Sequence, residues 1–362
     1  MIMEEKKLRP LIPIQAEWPI AQLQQSIASA IDGTGPALST TQLSSHEIHD
    51  EIALVVKTSG SSGIDKNVAI SKSALISSAI ASHKYLGASF GDTWSLLLPI
   101  NHIAGLNVIV RATLLGTHVI DNRNSEFYED SDFISIVPTQ LYKALNDDNK
   151  LLEHLSAAEA VLVGGAPLQA ELRVNAESKG IKVVSTYGMT EMSGGCVYNN
   201  KPISGVKIEI SDKGLIKLSG PMMATGYLDS SGNINSTNFK EWFETSDLGK
   251  LNSGLLTVTG RVDDVIISGG EKIAINLVEE EIEKIYPGLE FIIFSCPDNL
   301  WGEILSIGST TKISLDLIKD KLGPIRTPKR VFRFEKIPRT TLGKPDRHMA
   351  AKFALDLGDD FE

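Results

Sequence analysis

The sequence predicts an α/β protein. A large N-terminal domain of mainly parallel sheets flanked by helices, with a small β-barrel-like part, precedes a small mobile α+β C-terminal domain. Three observations predict it. Short β-rich runs alternate with helical segments over the first two thirds of the chain. From residue 206 to about 260, short strands alternate with Gly, Asp and Asn turns, as in an antiparallel sheet or barrel. A further change of texture at Gly260-Arg261-Val262-Asp263-Asp264 opens a compact helix–strand–helix–strand pattern. The domains are accordingly expected at 1–262 and 263–362.

Residues 52–57 read as a strand running into a Gly/Ser loop, and 72–85 as a helix. A second strand covers 94–98, followed by a loop and an apolar helix over about 105–115. Residues 133–137, 160–163 and 182–185 supply further strands with helices between them. The run 160–163 ends at once in Gly164-Gly165, as a buried strand does. In the small domain a helix over 277–285, a strand over 291–296, a helix over 315–322 and a strand over 329–335 follow in order.

Composition narrows the function classes. Hydrophobic residues at 42% and charged residues at 22% are those of an ordinary globular protein, so no long disordered tract is expected. A formal net charge of -10 without a basic tract disfavours nucleic acid as a partner. The charged start MIMEEKKLRP is read as neither a signal peptide nor a membrane span. Cys196 and Cys296 stand far apart, so a disulfide framework or zinc site is not expected and the reducing cytosol is the natural compartment.

Four runs carry chemistry. Thr58-Ser59-Gly60-Ser61-Ser62-Gly63-Ile64-Asp65-Lys66 follows a strand and leaves backbone N–H groups free to approach anionic oxygens, with Lys66 adding charge. The spacing is not that of a P-loop. Ser185-Thr186-Tyr187-Gly188-Met189-Thr190-Glu191 offers an aromatic face for a nucleobase, a hydroxyl for phosphate and a carboxylate for Mg²⁺. In Thr245-Ser246-Asp247-Leu248-Gly249 the Asp247 carboxylate suits two ribose hydroxyls, and Arg261 suits phosphate. In the last run, Gly343-Lys344-Pro345 lies on a loop able to deliver a cation. Taken singly, each run reads as well as an ordinary turn, hairpin or exposed lysine.

Their fixed order is far more specific. TSGSSGxxK, YGMTE, SDLG with GRVDDVIISGGE, and TTLGKPDR together resemble the adenylate-forming superfamily of acyl-CoA synthetases, amino-acid adenylating domains and luciferases, over roughly residues 54–352. The runs LLPINHIAGL with Arg111 after it, SIVPTQL and VGGAPL resemble one branch, the o-succinylbenzoate–CoA ligases of menaquinone biosynthesis.

The resemblance implies a ligase that activates a carboxylic acid as acyl-AMP, releases pyrophosphate and transfers the acyl group to coenzyme A. ATP, Mg²⁺ and CoA are then required. Its partners are these small molecules and o-succinylbenzoate; a homodimer is compatible, whereas membrane insertion is not expected. Lys344 would bridge the carboxylate and α-phosphate, and the loop from Thr58 to Lys66 would hold the outer phosphates. Thr190 would bind phosphate, Glu191 the metal, and Asp247 with Arg261 the ribose and phosphate end. Gly164, Gly165, Ala166, Pro167 and Tyr187, with Gly188 and Met189, would frame the adenine. His102, Gly105, Arg111, Thr139 and Gln140 would line the acyl pocket, with His102 also placing the reacting groups and Arg111 meeting the aromatic carboxylate. A core role for His102 and a helix-surface ion pair for Arg111 stay open. The small domain would turn about Asp263 and bring Ser268, Gly269 and Gly270 to the CoA channel. Two features depart from the family: only 57 residues precede Thr58, implying a reduced N-terminal part, and Ser246 replaces a common Gly. Another aryl- or acyl-CoA ligase, or a non-catalytic nucleotide-binding homologue, also fits these residues.

Overall fold

Trp94–Leu96 and Phe133–Ile136 are buried along their whole length, and Ala160–Gly164 is buried up to its final glycine. Strands covered on both faces need such continuous apolar runs, and they pair in parallel. In the computed structural model, which describes residues 7–59, 65–268, 271–298, 302–339 and 345–357, they do so. Phe133 lies opposite both Trp94 and Ala160, and Val183 opposite Val161. Ile120–Asp121 extends this parallel ladder at one side. Gly194–Tyr198 and Lys201–Pro202 close the other side in antiparallel pairing.

A further seven-stranded sheet runs in the order Ile234–Asn235, Gly226–Leu228, Asp65–Ser71, Ile52–Ser59, Ala37–Ser39, Leu8–Pro13, Glu47–His49. It is mixed. Ile52–Ser59 pairs antiparallel with Asp65–Ser71, so the next described element after the Ser/Gly run is a return strand. Helix Lys72–Leu86 starts only after that return, capped by the Ser71 hydroxyl accepting from the Ala74 amide at 3.1 Å.

The segment before Thr58 covers this sheet. Helix Ile20–Asp32 buries Leu23, Ile27, Ala30 and Ile31, one apolar stripe at helical spacing. The guanidinium of buried Arg9 donates to the carbonyls of Ala30 at 2.9 Å, Ile52 at 3.3 Å and Gly35, tying helix and strands together.

The barrel-like segment is a four-stranded sheet in the order Lys207–Ile210, Leu215–Ser219, Phe243–Asn252, Leu255–Arg261. The chain separates into two compact units, Met1–Thr245 with Lys250–Thr257, and Ser246–Gly249 with Val258–Glu362. Asp263, the expected hinge, falls in the second. That unit has its own apolar core, with Ile266, Val278, Ile282, Ile293, Ile307 and Ile318 buried between a five-stranded sheet and its helices. Helix Leu315–Arg326 breaks at Gly323-Pro324, which shortens its regular part to nearly the extent that the sequence predicts.

Two histidines of the first unit are buried. Burial, aided by the charge of Arg111, holds the His83 imidazole down at about 4, and burial lowers His154, whose Nε2 lies 3.0 Å from the Ser95 hydroxyl. Below the ordinary imidazole range the unfolded chain binds protons that the native state refuses, so stability is lost as pH falls through that window. The thermal midpoint should drop by several degrees between pH 6.5 and about 4, and His83→Gln should make the drop shallower. Scanning calorimetry across that range checks this.

Candidate active site

Every parallel strand of the ladder ends on the same side, so the segments that follow share one edge. Leu97 to His102 follows Trp94–Leu96, Val137 to Gln140 follows Phe133–Ile136, Ala166 and Pro167 follow Ala160–Gly164, and Thr190 and Glu191 follow Val183–Met189. In open α/β sheets this carboxyl edge is where ligands bind. Runs scattered over almost a hundred residues, each ambiguous alone, are thereby gathered into one place.

Glu191 sits in a short 3-10 turn, Thr190–Met192, ended by Ser193 in the left-handed region at φ 53°. The Ser193 carbonyl accepts from Asn107 Nδ2 at 2.7 Å and Ser78 Oγ at 3.1 Å, and its own hydroxyl donates to the Met222 carbonyl at 2.7 Å. The Glu191 carbonyl accepts from the Ala224 amide at 2.8 Å. Backbone is thus pinned at the acid and just after it, while its carboxylate accepts from the Tyr227 hydroxyl at 2.8 Å. Burial and the Glu191 charge raise the Tyr227 phenol well above its usual range, so it stays a donor. Gly188 is dictated by the same close packing, since a Cβ there would lie 2.1 Å from the Gly194 carbonyl oxygen.

Across the hairpin, Thr58 lies opposite Lys66 and Ser59 opposite Asp65. Gly60, Ser61, Ser62 and Gly63 lie outside the described residues. Lys57 pairs with Asp65 at 2.7 Å across the hairpin base, and the Lys66 ammonium stands 4.8 Å from the centre of the Tyr227 ring. Lys66, Tyr227 and Glu191 therefore form one connected group. Among the described residues no cluster of three or more His, Cys, Asp or Glu could hold a metal alone. A single hard carboxylate nevertheless fits magnesium, which keeps waters and takes phosphate oxygens as its other ligands.

Gly164 packs against Thr186, where a Cβ would lie 2.1 Å from the hydroxyl, and Gly165 adopts φ +83°. Gly165 and Pro167 are exposed, whereas Tyr187 and Met189 are half-buried beside the main core. His102 caps helix Ile103–Leu114 with extended backbone, its carbonyl accepting from the Leu106 amide at 3.1 Å. Gly105 lets that helix start against the preceding turn. Thr139 is exposed, but the Gln140 amide is engaged at both ends, donating to the Leu97 carbonyl and accepting from the Val137 amide, each at 3.0 Å. Gln140 thus holds two edge segments together.

Arg111 is only 4% exposed, which removes the helix-surface ion pair as an explanation. Its Nη2 donates to the Tyr198 hydroxyl at 3.0 Å, which lies 3.0 Å from the Ser82 hydroxyl, and its guanidinium stacks over Trp94 at 4.9 Å. Buried Nε has no partner among the described residues.

In the second unit Arg261 Nη1 donates to the buried Asp247 carboxylate at 2.9 Å, so the two expected ribose and phosphate residues meet each other. Ser268 is buried; Gly269, Gly270 and Lys344 lie outside the described residues, as do the neighbours of Lys344 from 340 to 343. The ends of that run are pinned, Arg339 bridging Pro345 and the Asp346 amide donating to the Pro338 carbonyl at 2.9 Å. Arg347 next to it binds Glu279 at 2.6 Å and Asp264 at 3.2 Å.

A model of the AMP-binding enzyme family matches residues 6–228. The chain belongs to the AMP-binding enzyme family. This AMP-binding enzyme is 33% identical over 328 residues to a probable 2-succinylbenzoate–CoA ligase of Mycobacterium tuberculosis, covering 83% of this chain and 84% of the relative. To the 2-succinylbenzoate–CoA ligase of Bacillus subtilis it is 28% identical over 340 residues, covering 82% and 68%. Its fold matches the o-succinylbenzoate coenzyme A synthetase of Bacillus subtilis in complex with ATP and magnesium ion, with TM-score 0.73, 21% identity and coverage of 93% and 88%. The same enzyme with its acyl-adenylate intermediate gives TM-score 0.71 at 22% identity, covering 94% and 81%. No helix among the described residues is long and apolar enough to cross a membrane.

Tyr227, Tyr198, Ser193 and Asn107 escape sequence reasoning because no local pattern marks them. Each acts through a partner distant in sequence. Gly105 was legible as a motif residue, and packing explains it. An added Cβ would lie 2.2 Å from the Pro99 carbonyl oxygen and 2.8 Å from its carbon, both backbone. Gly105→Ala should destabilise the protein by about 1–3 kcal/mol, read as a lower denaturant midpoint at unchanged slope.

Proposed function

We propose that this enzyme is an o-succinylbenzoate–CoA ligase, forming an acyl-AMP from the acid and ATP and then passing the acyl group to coenzyme A. What supports the choice of acid is the buried Arg111 guanidinium, held by the Tyr198 hydroxyl and the Trp94 ring. A buried cation is costly without an anion, and o-succinylbenzoate has a second carboxylate to supply one while its first is activated. Benzoate and fatty acids do not.

Two anions must meet in the first half-reaction, so positioning and charge stabilisation carry the chemistry. The Ser/Gly run with Lys66 receives the outer phosphates, and Thr190 lies beside them. Glu191 would hold magnesium, whose charge would offset that of the phosphates. The segment from Gly164 to Pro167 and Tyr187 frame the base, and Asp247 and Arg261 exchange their mutual bond for the ribose and phosphate. Lys344 supplies the cation between carboxylate and α-phosphate. A turn of the C-terminal domain about Asp263 then withdraws it and brings Ser268 to Gly270 to the pantetheine. His102, at the start of its helix, places the acyl group against the thiol. A cytosolic setting fits the two free, buried cysteines; burial pushes the Cys196 thiol up to about 12, which leaves it inert.

CoA-dependent AMP release tests the proposal. Turnover with o-succinylbenzoate should exceed that with benzoate or a medium-chain fatty acid by two orders of magnitude or more; equal rates would reject the assignment. Arg111→Lys should raise KM for o-succinylbenzoate about 10- to 100-fold and leave that for ATP unchanged. Lys344→Ala should lose acyl-AMP formation yet still convert supplied acyl-AMP to thioester, a split that single-turnover assays of each half-reaction resolve.

A further inference from the structure

We propose that Tyr227 is a positioning residue that sets both the metal-binding carboxylate and the phosphate lysine, an inference that rests on the nucleotide-binding roles given to Glu191 and Lys66 above. Its strand, Gly226–Leu228, pairs antiparallel with Asp65–Ser71, Tyr227 standing opposite Val68. That register brings the ring within 4.8 Å of the Lys66 ammonium, while the hydroxyl donates to Glu191 Oε1 at 2.8 Å. Neither contact depends on sequence proximity, since Glu191 is 36 residues away.

The two contacts act differently. A hydrogen bond to Oε1 fixes the rotation of the Glu191 carboxyl group. An ionised carboxylate accepts about four hydrogen bonds or metal contacts, so one bond leaves ample capacity for a cation. The ring face attracts the ammonium and narrows the region that the long lysine side chain samples. Without Tyr227, both groups would have to be ordered when the nucleotide binds, at an entropic cost.

The ring itself has a defined seat. Phe239 meets it edge-on at 4.9 Å, and Phe239 stacks on Phe243 at 5.1 Å. The backbone nearby is tied to both partners' elements, through the Ala224 amide to the Glu191 carbonyl at 2.8 Å and the Thr225 amide to the Ala69 carbonyl at 2.9 Å. A residue that merely filled space would need neither the hydroxyl geometry nor the ammonium over its face.

The test is calorimetric binding of ATP with and without Mg²⁺, on the full chain, for wild type, Tyr227→Phe, Glu191→Gln and the double variant. Tyr227→Phe keeps the ring and its packing, so its thermal midpoint should stay close to wild type. It should weaken MgATP about tenfold and metal-free ATP by less than about twofold. In the Glu191→Gln background the same change should cost less than about twofold for MgATP, because the bond it removes serves that carboxylate. Lys66 is probed by Tyr227→Leu, which should weaken metal-free ATP a further ~2- to 5-fold unless Lys66 is already methionine. Unchanged MgATP binding in Tyr227→Phe, equal weakening with and without metal, or additive losses with Glu191→Gln would each overturn the inference. Binding of nucleotide does not need the acid, so a wrong acid would show only as absent turnover with o-succinylbenzoate and would leave this cycle intact.

Discussion

A parallel strand cannot turn straight back to its neighbour, so each crossover must carry the chain over a face of the sheet before the next strand begins. Trp94–Leu96, Phe133–Ile136, Ala160–Gly164 and Val183–Met189 obey that constraint, and their carboxyl ends fall on one edge. Every segment after them inherits its position from this pairing. Register is held by backbone bonds and by burial on both faces, where a one-residue slip would turn apolar side chains out of the core. The edge is therefore stiff.

Charge is distributed on that scaffold in a consistent way. Arg111 is buried and held by the Tyr198 hydroxyl and the Trp94 ring face, with no carboxylate partner among the described residues. Among the described residues Glu191 likewise meets a phenol and not a cation. In the second unit the reverse holds for Asp247 and Arg261, which neutralise each other at 2.9 Å. On the proposed roles, groups of the first kind are preorganised for an external ion, whereas the pair must separate before either can serve a ligand.

Much of this is legible in the amino-acid sequence. The buried strands announce themselves as apolar runs, and the Ser/Gly, YGMTE and GKPDR runs are recognisable by their order. The return strand Asp65–Ser71 was not, because its DKNVAIS alternation is short and one end of it is polar. Helix Ile20–Asp32 had a usable signal in the spacing of Ile20, Leu23, Ile27 and Ile31. The network around Ser193, and the contacts of Tyr198 and Tyr227, had none, since they join residues brought together only by the finished sheets. Gln140 shows the same limit. Its motif marks it for the pocket, yet its amide is used to brace two loops.

Amide hydrogen exchange during turnover-blocked binding measures the common edge most directly. With MgATP and o-succinylbenzoate bound to a Lys344→Ala variant, exchange should slow together at residues 97–106, 137–140, 164–168 and 187–192. The outer helices of the first unit should change little. Slowing confined to other parts of the first unit, with these segments unaffected, would contradict a site built on the carboxyl edge of the parallel strands.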